Sequence, residues 1–175
     1  MKEVVLERSV VAGTDAQPVG GEVRDKLLEP FIVATSTALG EMAGAEVVAR
    51  AVYQQTRQHA LGDIAAVIGL RAGSEGFLVL SAPKPTAAAL ARRILADATQ
   101  EVDEKLIRDC MGEIANVIAG QAKALLAGSR YRLVFAMPPV VVDAETVRPP
   151  AGVDCLVIAF SSEYGEFAMQ LFVKL

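Results

Sequence analysis

From residue 27 onward, the apolar positions keep a helical spacing in some stretches and alternate like strands in others. The two kinds of stretch come in blocks. Phe31, Ala34, Ala38 and Met42 recur at helical spacing, which predicts a helix over Leu27–Ala43, with Pro30 tolerated in its first turn and Gly44 as a stop. The pattern then changes. Glu46–Arg57, Ala60–Arg71 and Glu75–Ala82 are rich in β-branched residues and read as strands, with turns at Gln58-His59 and Ala72-Gly73-Ser74. Three strands in a row with short connections predict an antiparallel meander. Pro83-Lys84-Pro85 closes this block, and Thr86 is the expected N-cap of a helix from Ala87 to about Asp97. Asp103 is the expected N-cap of a longer helix that Gly128 stops. A second strand block follows. Tyr131–Met137 runs into Pro138-Pro139, which cannot both sit in a central ladder and therefore mark a bend or an edge; Val140–Val142 continues it. Val153–Ser161 and Phe167–Val173 are joined by Ser162-Glu163-Tyr164-Gly165, a hairpin signal.

Helices and strands in separate runs predict an α+β domain. Its antiparallel sheet has about six strands, with a long helix pair and an N-terminal helix packed on it. The domain is expected to span residues 27–175. Residues 1–26, rich in Gly, Pro and small polar residues between Gly13 and Gly21, read as an arm or linker with at most one short element.

Composition narrows the function classes. The chain has 175 residues, enough for a substantial core in one domain, and 53% of them are apolar without any run long enough to span a membrane. The N-terminus carries acids inside its first apolar patch and lacks the basic-then-apolar order of a secretory signal, so the expected location is the cytoplasm. A net charge of −4, no long Lys/Arg run and no Trp argue against nucleic acid as a partner. Cys110 and Cys155 form no CxxC pair and His59 is the single histidine, so no familiar metal-ligand spacing exists, and the cysteines read as small buried residues. No cofactor of its own is expected.

The informative stretch is Asp103–Gly128, DEKLIRDCMGEIANVIAGQAKALLAG. With Leu106 at zero on the helical wheel, Cys110, Ile114, Val117, Ile107 and Ile118 span an arc from about 0° to 120°. Asp109, Glu113, Asn116 and Gly120 fall at about 280° to 340°, within about 60° of one another and just off one edge of that arc. Gly112 lies beside this polar stripe. Two readings compete: a solvated helix face, or a site. Asn is a poorer helix former than the Glu, Lys or Arg usual at indifferent surface positions, and with Gly120 it weakens the helix for no visible local return. Departures of that kind are where functional sites are expected.

The motif Asp109-x3-Glu113-x2-Asn116, set in GEIANVIAGQAK, resembles the signature of the CheC/CheX/FliY phosphatases of bacterial chemotaxis, with CheX as the nearest pattern. The resemblance extends over most of Leu28 to Leu171, including EPFIVAT at Glu29–Thr35, the order of elements, and the proline-bearing strand AMPPVVV at Ala136–Val142. It implies that the chain hydrolyses the aspartyl phosphate of a CheY-like response regulator, with Mg²⁺ held by that partner. Glu113 is implied to pair with the regulator's lysine, Asn116 to hold the attacking water, and Asp109 to support them. Gly112 and Gly120 would leave room for the partner. A homodimer is implied as well. The alternative is a non-catalytic module on the same scaffold, binding a regulator or a flagellar-switch component; the Glu113–Asn116 pair separates the two, since a pure binder has no need of the amide.

A second copy of the motif is found in some relatives on the first helix. The nearest register here is Thr37-x3-Glu41-x2-Gly44, where glycine stands in place of the amide, so this copy is expected to be inactive.

Overall fold

The computed structural model describes residues 15–56, 60–71, 76–96, 99 and 101–175. They form an α+β fold around one antiparallel sheet, as the block pattern predicts. Its strands are β1 (Ala16–Gln17), β2 (Val48–Gln55), β3 (Ile64–Leu70), β4 (Gly76–Ala82), β5 (Phe135–Asp143), β6 (Asp154–Ser162) and β7 (Gly165–Val173), in spatial order β1-β2-β6-β7-β4-β3-β5. Four α-helical segments accompany them among the described residues: α1 (Gly21–Val23), α2 (Glu29–Ala43), α3 (Lys84–Leu95) and α4 (Glu104–Leu126).

The expected three-strand meander is corrected. Only β3 and β4 pair with each other; β2 pairs with β6 and, on its outer side, with β1. Burial gives the reason. From Cys155 to Phe160 β6 is buried at every position, as is β7 from Phe167 to Val173, so these two strands need cover on both faces and take the middle of the sheet. β2 shows exposed and half-buried positions and lies near an edge. Leu61, between β2 and β3, donates its N–H to Oε1 of the fully buried Gln170 on β7 (3.0 Å), which ties that connection to the sheet.

The helices cover one face of the sheet. Phe31, Leu39, Met111, Ile114 and Ile118 meet Ile68, Leu80, Phe160 and Met169 in the main core. The opposite face carries a smaller cluster of Tyr53, Val79, Cys155, Val157 and Phe172 beneath Ala144, Val147 and Val153.

The N-terminal boundary expected at residue 26 falls inside a helical run. From α1 the chain passes through a wide π turn, Arg24–Leu28, directly into α2. Glu29 donates to the Arg24 carbonyl, five residues back, just before Pro30, whose missing N–H and bulky ring disfavour the ordinary four-residue bond there. Leu27 and Leu28 are buried, so this turn belongs to the core. The first 14 residues lie outside the described residues.

Thr86 does not cap α3. The helix starts at Lys84, with Pro83 before it, and Thr86 is buried one turn in. A Cβ on Gly165 would stand 2.3 Å from Thr86 Oγ1, so the tight turn of the β6–β7 hairpin, with Gly165 at φ +126°, is where α3 closes on the sheet.

Candidate functional site

α4 starts and stops where its sequence directs. The Asp103 carboxylate accepts the N–H of Leu106 (2.8 Å), an N-cap, and Gly128 turns the chain at φ +82° beyond the last helical residue. Its buried face is rotated from the expected arc. Cys110, Met111, Ile114, Ala115, Ile118, Ala119, Ala122 and Leu126 are buried, while Leu106, Ile107 and Val117 are only half-buried. The alanines account for the shift. They add little to a hydrophobic pattern, but their small side chains let helices pack closely, and α2 brings Ala34 and Ala38 to the same core.

The polar stripe faces outward. Glu113 is exposed and Asn116 half-buried, and among the described residues neither side chain has a hydrogen bond or ion pair. Asp109 is exposed and engaged by Lys105 from the preceding turn (2.8 Å), a contact that raises the lysine's pKa. Gly120 is exposed, with nothing within 4 Å of the position a side chain would take. Gly112 is half-buried on the same groove, and an added Cβ would stand 3.3 Å from Cγ2 of Val141, so it also meets the chain's own β5.

β5 completes the surroundings. It is an edge strand, and its pairing with β3 slips between Val67 and Gly69, where Met137, Pro138 and Pro139 oppose Ile68 alone. The two prolines thus occupy a bulge on an edge, the place where a missing N–H is tolerated. An open groove of about 720 Å³ separates this bulge from α4, with Asp109, Glu113 and Asn116 on one wall and Pro138, Pro139 and Val141 on the other. Arg108 lines the same groove. Its guanidinium bonds Glu104 on its own helix (2.9 Å) and Asp143 at the end of β5, holding both carboxyls below the usual carboxylate range.

Asp109, Gly112, Glu113 and Asn116 therefore line one groove, which Gly120 does not reach, and the structure adds the second wall and the Arg108–Asp143 tie. Nothing in the periodicity of the sequence signals either, because α4 and β5 are separate elements whose direct contact is made only by the tertiary fold. The Pro138-Pro139 pair was legible as a bend or edge, but not as a neighbour of Asn116. The cysteines lie apart from this chemistry. Both are free and buried, and burial pushes Cys110 up and Cys155 up to about 12, so neither is a ready nucleophile. His59 lies outside the described residues. No group of His, Cys, Asp and Glu suited to a metal occurs among the described residues, and no described helix is long and apolar enough to cross a membrane.

The first-helix copy is further from a site than its sequence shows. Gly44 lies past the end of α2 at φ +59°, and the Arg93 guanidinium, which donates to the Ala43 carbonyl (2.9 Å), stands 3.4 Å from where a Gly44 Cβ would be. Glu41 is exposed, 3.5 Å from the Gln121 amide of α4. The left-handed conformation tolerates Asn, yet Arg93 occupies the space beside it. Gly44→Asn should therefore keep the fold while setting its side chain against Arg93, a result checked by comparing its thermal melting temperature with that of the unaltered chain.

Fold and groove together define an α+β protein that displays a carboxylate and an amide, both free of internal partners, beside a proline-walled edge. The sequence profile of the CheX family, described as "Chemotaxis phosphatase CheX", matches residues 64–161, a span that contains α4 and β5. This chain belongs to the CheX family. It is similar to a chemotaxis protein of known structure from Desulfovibrio vulgaris Hildenborough, at 30% identity over 84% of this chain and 96% of that one, with a TM-score of 0.76. Similarity to chemotaxis protein CheX from Desulfovibrio desulfuricans is 28% over 83% and 97% of the two chains, with a TM-score of 0.74. The fold is also that of CheX in a CheX–CheY–BeF3–Mg²⁺ complex from Borrelia burgdorferi, at 19% identity over 85% and 97%, with a TM-score of 0.66. No curated protein matches.

Proposed function

We propose that this chain hydrolyses the aspartyl phosphate of a CheY-like response regulator. The observation that carries the reading is the Glu113–Asn116 stripe itself: a carboxylate and an amide left without internal partners, on the open groove of a CheX-family chain. The Borrelia complex supports the partner class, since that relative was captured with CheY, Mg²⁺ and BeF3, which mimics a phosphoryl group in shape and charge.

In this reading Glu113 forms an ion pair with the regulator's lysine and docks the helix. Asn116 hydrogen-bonds a water and holds it in line with the phosphorus. The water attacks, the bond between phosphorus and the aspartyl oxygen breaks, and the regulator is left with a free carboxylate and inorganic phosphate. The regulator holds the Mg²⁺ that neutralises the phosphoryl oxygens. The reaction asks for positioning more than for a strong base, because the acyl phosphate is already activated. A neutral amide orients water without adding negative charge beside those oxygens. Asp109, held by Lys105, supports the outer end of the stripe. The same reading expects the chain to act in the cytoplasm as a homodimer.

The test is loss of phosphoryl label from a radiolabelled CheY-type regulator in Mg²⁺ buffer, with and without the purified chain. Faster release supports hydrolysis. Binding of the phosphorylated regulator with no change in its lifetime would replace the enzyme by a binding module.

A further inference from the structure

Two contacts fix how α4 lies along β5. Arg108 meets Asp143, and Gly112 lies against Val141. Four residues advance a helix by about 6 Å and two residues advance a strand by about 6.7 Å, so these pairs step together along two elements running in opposite directions. One turn further along, Asn116 reaches the groove that the bulge at Pro138 and Pro139 walls on its other side. Asn116 is half-buried there, whereas Glu113 is exposed.

Pro139 suits that place chemically. It has no N–H, so its backbone offers the amide no donor, and its ring is an apolar wall. Across the groove, such a wall offers the Asn116 side chain no hydrogen bond and leaves its oxygen and nitrogen free for water. How near the wall stands depends on how closely α4 sits on β5, and Gly112 governs that approach. A glycine in the middle of a helix is unfavourable relative to alanine, so its presence there needs a return, and the contact with Val141 is one.

We propose that Gly112 is a positioning residue: by letting α4 seat on Val141, it sets the gap between Asn116 and Pro139 and so aims the amide at the attacking water. The inference rests on the phosphatase reading above, and Gly112 acts only through Asn116.

The test uses Gly112→Ala in the full chain, with a CheY-type regulator phosphorylated in Mg²⁺ buffer as substrate. The added methyl must displace α4 or Val141 by a few tenths of an ångström. Displacements on that scale upset an aligned attack, so kcat should fall about tenfold while KM stays within about twofold. Thermal stability should hold or rise, because alanine is the better helix former, and that separates misalignment from damage to the fold. Val141→Ala removes the opposing methyls, so the double variant should recover kcat to within about threefold of Val141→Ala alone, as the clash between the two positions is relieved. Wild-type kcat in Gly112→Ala, or a loss that Val141→Ala does not recover, overturns the proposal. Asn116→Ala, run alongside, separates the two levels. If it keeps the full rate, the phosphatase reading itself fails; if it is inactive while Gly112→Ala is unimpaired, only the positioning role fails.

Discussion

Asn116→Ala should lower the rate of regulator dephosphorylation about 100- to 1,000-fold with little change in KM. The size follows from what the amide does in the proposed mechanism: it is the group that holds the water in line, and loss of one preorganised hydrogen-bonding group at a reacting centre typically has an effect of that order. The split follows from when the contact is made. An interaction realised only as the water attacks lowers kcat and kcat/KM together. The fold should be untouched, because among the described residues the Asn116 side chain has no hydrogen bond to lose. Asn116→Asp is the sharper companion. It keeps the shape but adds a negative charge facing the phosphoryl oxygens, so it should not recover the rate. Single-turnover release of labelled phosphate at saturating enzyme checks both variants.

Glu113→Ala should act on docking. Removing one partner of a charge pair covered by an interface typically weakens binding by about 2–5 kcal/mol, which corresponds to at least about a thirtyfold loss of affinity for the phosphorylated regulator. Glu113 is exposed in the free chain and has no ion pair among the described residues, so the loss should appear only with the partner present. Titration of the regulator against both proteins, by anisotropy or calorimetry, measures it. The difference should shrink as salt is added, because ions screen the pair while the encounter is still open to solvent. Glu113→Gln, which preserves size and removes charge, should behave like the alanine variant. Unchanged affinity in both would remove Glu113 from docking.

These two effects separate because the residues differ in setting as well as in type. Glu113 stands clear of the chain, where a partner's cation can reach it, whereas Asn116 is half-buried in the groove that the prolines wall. The spacing of three places both on one side of α4, but the wall facing them comes from β5.

Much of the fold was legible where a single element decides the outcome. Asp103 and Gly128 bracket α4 because capping and left-handed turns depend on a few neighbouring backbone groups. The prolines at 138 and 139 announced an edge or bend because they lack N–H donors, and the structure has both. Strand partners were less legible. β2, β3 and β4 look alike as alternating segments, and short connections suggested that they pair in order; burial on both faces of β6 and β7 instead put those strands between β2 and β4. The buried face of α4 was displaced in the same way, since an alanine surface counts little in a pattern of bulky residues yet packs well against another helix.

For the candidate site the division is sharper. By itself the sequence determined that Asp109, Glu113, Asn116 and Gly120 share one stripe of a capped helix, because helical periodicity is a local property of the backbone. It also determined that the first-helix copy lacks an amide. Only the tertiary structure decided what faces the stripe: the Pro138-Pro139 bulge across a groove, Val141 against Gly112, Arg108 tied to Asp143, and Arg93 filling the space beside Gly44. Each of these joins elements far apart in the chain, and such contacts are set by which strands take the middle of the sheet and how closely helices pack on it, quantities that no spacing along the chain encodes.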